Sequence, residues 1–120
     1  MHRRADFLRT RKHGVAKGGR YFVLSTLADP ELPGLRVGII TTRKVGKAHE
    51  RNRLRRQVRA ILQRHGEKIA DPRRFLVTIV RVGASGAPFG DLERDWLKLA
   101  RRLRILKETE ATAGTSGPSS

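Results

Sequence analysis

Apolar residues recur along this chain in two rhythms, which sort it into strands and helices. Tyr21-Phe22-Val23-Leu24-Ser25-Thr26-Leu27 is rich in aromatic and β-branched residues and predicts a strand. Leu35 to Thr42, carrying Val37, Ile39 and Ile40, predicts a second. The intervening Asp29-Pro30-Glu31-Leu32-Pro33-Gly34 has turn chemistry, and so short a link predicts an antiparallel hairpin. Arg74 to Val82 contains Phe75-Leu76-Val77-Thr78-Ile79-Val80, almost wholly apolar, as in a central strand covered on both faces.

Two segments switch to the helical period. In Lys47 to His65, followed by Gly66, Leu54, Val58, Ile61 and Leu62 fall within an arc of about 100°. Asp91 to Leu106 spaces Leu92, Trp96, Leu99, Leu103 and Leu106 by 4, 3, 4 and 3, one stripe for packing on a sheet. Its acids stand near the start and its bases near the end, as the helix dipole favours. Arg3 to His13 predicts a short helix capped by Gly14, too short to hold without docking. Val15 to Arg20 is irregular, with room for a short edge strand. Residues 108–120 are Thr-, Ser-, Gly- and Pro-rich and predict a disordered tail. The expectation is one α+β domain over residues 1–107, helices packed on a small sheet, and a tail over 108–120.

Composition narrows the function. At 120 residues, 38% hydrophobic and 32% charged, the chain can bury one modest core. The absence of cysteine removes disulfides, thiolate zinc sites and cysteine nucleophiles. No apolar run approaches the ~18 residues of a spanning helix, and no apolar signal region follows Met1-His2-Arg3-Arg4. A cytoplasmic chain without a membrane partner is expected. Against 11 acids stand 27 Lys and Arg, a formal charge of +16. Residues 1–64 hold 17 cations and 4 acids, residues 65–120 hold 10 and 7, so the first half is the binding side.

The charge concentrates on the first long helix. Residues 43–64 contain nine Arg or Lys and a single acid, Glu50. Beside the apolar arc of that helix lie Asn52, Arg55, Arg56 and Arg59, with Arg53 and Arg64 beyond. A solvated helix face normally mixes signs. Here Arg51, Arg55 and Arg59 repel at i, i+4 spacing, and a polyanion is the natural partner. Arginine in place of lysine suits bidentate contacts to phosphate and base edges. Asn52 both donates and accepts, as reading a base edge or a 2′-hydroxyl requires. No Ser/His/Asp set, no pair of acids in an apolar pocket and no phosphate-binding glycine loop occurs. His13, His49 and His65 lack metal-ligand spacing. Neither a catalytic residue nor a metal ligand is therefore expected on the chain. A structural rRNA-binding protein of ribosomal type shares this charge. A DNA binder would share the basic helix, but no second helix stands in a helix-turn-helix arrangement, so DNA is not expected.

The ordered motifs go further. Arg51-Asn52-Arg53 followed by Leu54-Arg55-Arg56 and Arg59 resembles the signature of the bacterial ribonuclease P protein family. Arg36-Val37-Gly38-Ile39 and Thr42-Arg43-Lys44-Val45-Gly46-Lys47-Ala48 are similar to its strand-and-loop segment, Asp6-Phe7, Gly14 and Phe22-Val23-Leu24 to its N-terminal region, and Leu92-Glu93 to its last helix. The resemblance runs from about residue 3 to residue 106. It implies an α/β sandwich on a four-stranded mixed sheet, with a left-handed strand–helix–strand crossover through the basic helix. It implies binding to a large catalytic RNA that removes the 5′ leader of precursor tRNA, with Mg2+ held at the RNA active site and no cofactor on the protein. The residues it places on the catalytic RNA are Arg43, Lys44, Lys47, Arg51, Asn52, Arg53, Arg55, Arg56 and Arg59. A cleft for the single-stranded leader is implied at Phe7, Arg11, Tyr21 and Ser25. Arg11 and Ser25 stand where the family can carry aromatic residues, and Tyr21 is expected on the strand face of Ser25, about 13 Å away.

Overall fold

The computed structural model describes residues 14–107. The expected N-terminal helix and the C-terminal tail lie outside them. Four strands form one mixed sheet: β1 (Val15–Gly18), β2 (Phe22–Ala28), β3 (Arg36–Ile40) and β4 (Arg74–Val80), in the order β1-β2-β4-β3. Two helices pack on it, α1 (Ala48–His65) and α2 (Phe89–Arg102). Short 3-10 turns, Arg43–Val45 and Gly66–Lys68, flank α1.

β2 and β3 do not form the expected hairpin. β4 lies between them, antiparallel to β2 from Phe22↔Val80 to Ala28↔Arg74 and parallel to β3 from Arg36↔Phe75 to Ile40↔Ile79. Phe75, Leu76, Val77 and Val80 are each no more than 3% exposed. A strand apolar on both faces needs a neighbour at each edge, and that demand outweighs the shortness of the β2–β3 link. The parallel β3–β4 pair in turn needs a long crossover, which α1 supplies.

Leu54, Val58 and Ile61 of α1 meet Leu92, Trp96 and Leu99 of α2, and both rows meet Phe22, Leu24, Leu76 and Val80 of the sheet. The Trp96 indole N–H donates to Thr78 Oγ1 at 3.2 Å, so the one polar atom of that ring is satisfied in the core. Strand alternation turns Ser25, Phe75 and Val77 to the opposite sheet face, where they too are buried.

The basic helix ends at His65 before Gly66, as expected, whereas the end of α2 differs from expectation. α2 stops at Arg102, short of Leu106. The chain reverses at Arg104 (φ 59°), which brings Ile105 into the core at 1% exposure while Leu106 bridges to Ile69. After α1, Gly66 stays right-handed (φ −59°), and the chain tightens into the 3-10 turn rather than reversing.

Candidate nucleic-acid interface

The basic helix starts from a fixed point. Val45, 6% exposed, anchors the 3-10 turn before α1 in the core. The Glu50 carboxylate accepts the backbone N–H of Lys47 at 2.7 Å and the Ser85 hydroxyl at 3.1 Å. These bonds, the first above all, hold its pKa below the ordinary 4.5. The only acid of the segment thus serves as a helix cap, closing the N-terminus with one arm of a capping box.

The cations are left outward. Arg43, Lys44, Lys47, Asn52, Arg53, Arg56 and Arg59 are exposed, and Arg51 and Arg55 are half-buried. Arg55 Nη1 donates to Asn52 Oδ1 at 3.0 Å, which fixes the amide within the row. Arg53, Arg56 and Arg59 make no hydrogen bond or ion pair among the described residues. Arg51 Nε and Thr41 Oγ1, at the entry to the helix, are buried without a hydrogen-bond partner. The structure therefore gathers Asn52, Arg53, Arg55, Arg56 and Arg59 on one helix with its apolar seam inward, and sets Arg43, Lys44 and Lys47 on the turn and cap that lead into it. Closely set guanidinium donors around one amide match a phosphate backbone.

The residues expected at a leader cleft are not gathered in the same way. Phe7 and Arg11 lie outside the described residues. Ser25, 3% exposed, sits in mid-strand between Ala16 and Val77. Tyr21 does not share its face. The backbone N–H groups of Arg20, Tyr21 and Phe22 turn toward the Asp95 carboxylate at 3.1, 2.9 and 3.2 Å, so the alternation of β2 does not extend back to Tyr21. Tyr21 packs instead beside α2, lining a shallow groove with Arg20, Arg94 and Lys98. The Arg20 guanidinium lies 5.4 Å from its ring centroid.

Sequence marks Asp95 only as a dipole-favoured acid, because its grip on a distant turn has no local signal. Glu93 likewise has tertiary partners: His65 Nε2 at 2.8 Å and Arg64 at 3.2 Å, with Lys68 Nζ 3.2 Å from His65 Nδ1. Asp91 pairs with Arg94. No described helix is long and apolar enough to cross a membrane.

A small α+β sandwich with a self-repelling arginine front is a protein built to hold a polyanion. The family model for ribonuclease P matches residues 1–104, and the chain belongs to that family. It is 32% identical to the ribonuclease P protein component of Bacillus velezensis over 88% of this chain and 90% of the relative. It is 33% identical to that of Acidothermus cellulolyticus over 94% of each. Among solved structures, the Thermotoga maritima ribonuclease P protein superposes with a TM-score of 0.76 at 33% identity, covering 85% of this chain and 97% of that one. The Staphylococcus aureus protein gives 0.81 at 24% identity over 89% and 96%, a likeness of fold.

Proposed function

We propose that the α1 front, continued by Arg43, Lys44 and Lys47, is the surface by which this chain binds the catalytic RNA of ribonuclease P in the cytoplasm. Membership of the family gives the chain its part in maturing the 5′ end of tRNA. In our reading the RNA performs the cleavage with its own bound Mg2+, and the protein binds and positions. Among the described residues no three His, Asp or Glu side chains gather within ligating reach.

The chain's own contribution is electrostatic. The catalytic RNA and precursor tRNA are both polyanions and repel. A +16 protein between them offsets that repulsion and concentrates substrate on the complex. Its benefit should be greatest where Mg2+ is scarce. We place the leader near Phe7 and Arg11, with Tyr21 and Ser25 as the strand-side candidates. Of these two, Tyr21 has the more accessible side chain.

The observation that carries the reading is the exposed arginine row on α1, of which Arg53, Arg56 and Arg59 have no protein partner among the described residues. Its test is a salt titration of binding to a ribonuclease P RNA, run beside precursor tRNA cleavage at low Mg2+. Replacing Arg55 and Arg56 by Ala should flatten log affinity against log salt by about 0.7 to 0.9 per lost phosphate contact. The thermal midpoint should hold or rise. An unchanged slope in a folded double variant would remove α1 as the RNA face.

A further inference from the structure

Resting on the reading of α1 as an RNA face, we infer that a single-stranded RNA segment runs on from that face across the β4–α2 loop and stacks a base on Arg20. Three shallow grooves share walls. The first lies between His49, Arg53 and Gln57 of α1 and Ser85, Gly86 and Ala87 of the loop. The second crosses the same three loop residues and Val82 to reach Arg20 and Tyr21. The third continues from Arg20 and Tyr21 to Arg94 and Lys98 on α2. Neighbouring grooves share these residues, so one track joins Arg53 to Arg20 and Lys98. The acids in its walls are already engaged, Glu50 by Lys47 and Ser85, Asp91 by Arg94 and Asp95 by the Arg20–Phe22 backbone.

The loop in the middle of the track carries two glycines and the small side chains of Ser85 and Ala87. Gly83 (φ 104°) and Gly86 (φ 87°) take left-handed conformations that other residues adopt only under strain, and they leave the loop backbone open to a ligand. Val82 offers an apolar surface, 66% exposed. The far end is pre-organised. Asp95 ties down the backbone of Arg20, Tyr21 and Phe22 from α2, and Arg81 Nη1 donates to the Gly19 carbonyl at 2.9 Å from the other side. Gly19 is needed there, since a Cβ would stand 2.6 Å from the Asp95 carboxylate.

On this fixed turn the Arg20 guanidinium is backed by Tyr21 and exposed on its outer side. Guanidinium planes stack bases as aromatic rings do, and Tyr21 holds the plane at little further entropic cost. Lys98 can meet the neighbouring phosphate, while Asp91 already engages Arg94. A duplex buries its base faces and would leave this stack unused, so the occupant is a single strand.

The test measures binding of a fluorescent oligouridine of about twelve nucleotides to the full chain and its variants across salt. Arg20→Lys keeps the charge and removes the plane. It should weaken binding about 5- to 50-fold with the salt slope and thermal midpoint unchanged. Tyr21→Phe should bind as wild type, and Lys98→Ala should lower the slope. The Arg55, Arg56 double alanine variant is run in parallel. If it loses affinity while Arg20→Lys does not, the RNA stays on α1 and the track is wrong. If neither variant differs from wild type, the α1 reading fails and the track with it. If Arg20→Lys alone loses affinity, a base does stack there but the continuous path is overturned.

Discussion

α1 carries six arginines against one acid, and α2 four cations against three acids. In α2 every acid supports the structure. Asp91 holds Arg94, Glu93 holds His65 and Arg64, and Asp95 holds a three-residue turn. In α1 the single acid caps the helix, and Arg53, Arg56 and Arg59 are left without a protein partner among the described residues. Two helices of the same core thus use charge oppositely. α2 fixes the fold with it, and α1 holds it in reserve despite the self-repulsion. Both helices leave cations without a partner among the described residues, Lys98, Arg101 and Arg102 on α2 as well. What separates the two is the number of acids and what those acids hold.

The widest gap between the helices should come from removing the reserve. Replacing Arg53, Arg56 and Arg59 together by Ala should cut affinity for the catalytic RNA about 100-fold near 0.1 M salt and flatten the salt slope by about 2 to 3. The thermal midpoint should not fall. A drop in stability with RNA binding intact would reverse the assignment of the two helices.

The converse change is Asp95→Ala, which strands three backbone N–H groups. It should destabilise the fold by about 2 kcal/mol in a denaturant titration while leaving the salt slope for catalytic RNA as in wild type. A fully stable variant would show that water replaces the carboxylate without penalty.

Anions should sharpen the same contrast. Sulfate bound on the α1 row and gaining about 1 kcal/mol should raise the thermal midpoint by roughly 4 °C or more, and the triple arginine variant should lose most of that increment. An equal increment in wild type and variant would mean that sulfate acts by general exclusion.

The smallest effect concerns the lone acid of α1. Because the folded pKa of Glu50 lies below its ordinary value, its contribution is present above that value and lost as pH falls through the folded one. Glu50→Gln should therefore lower the midpoint slightly at neutral pH, and the gap should narrow as pH falls below the ordinary value of 4.5. A gap that does not change with falling pH would assign the effect to packing rather than to charge.

These contrasts follow how much of the molecule is legible in its sequence. The arginine row is readable because one helix positions it, and helical spacing alone sets the angle between Leu54 and Arg56. The centrality of β4 is readable from its apolar run, but not its neighbours: a short β2–β3 link argues for pairing, and only the burial of β4 overrules it. The end of α2 is hidden because Arg104, not glycine, takes the left-handed position. Period-two alternation puts Tyr21 on the wrong face because it is carried one residue past the end of the strand. The Arg20 stack is invisible because its backing is local but its anchor, Asp95, is 75 residues away from Arg20 in sequence.

The indole of Trp96 gives the chain an optical reporter. It is the only tryptophan, fully buried on the core side of α2 and bonded to Thr78. Its emission should stay blue-shifted while RNA is titrated onto the guanidinium row of α1, and shift to the red only when the sandwich opens. Occupancy and unfolding can then be followed in one cuvette without attaching a dye.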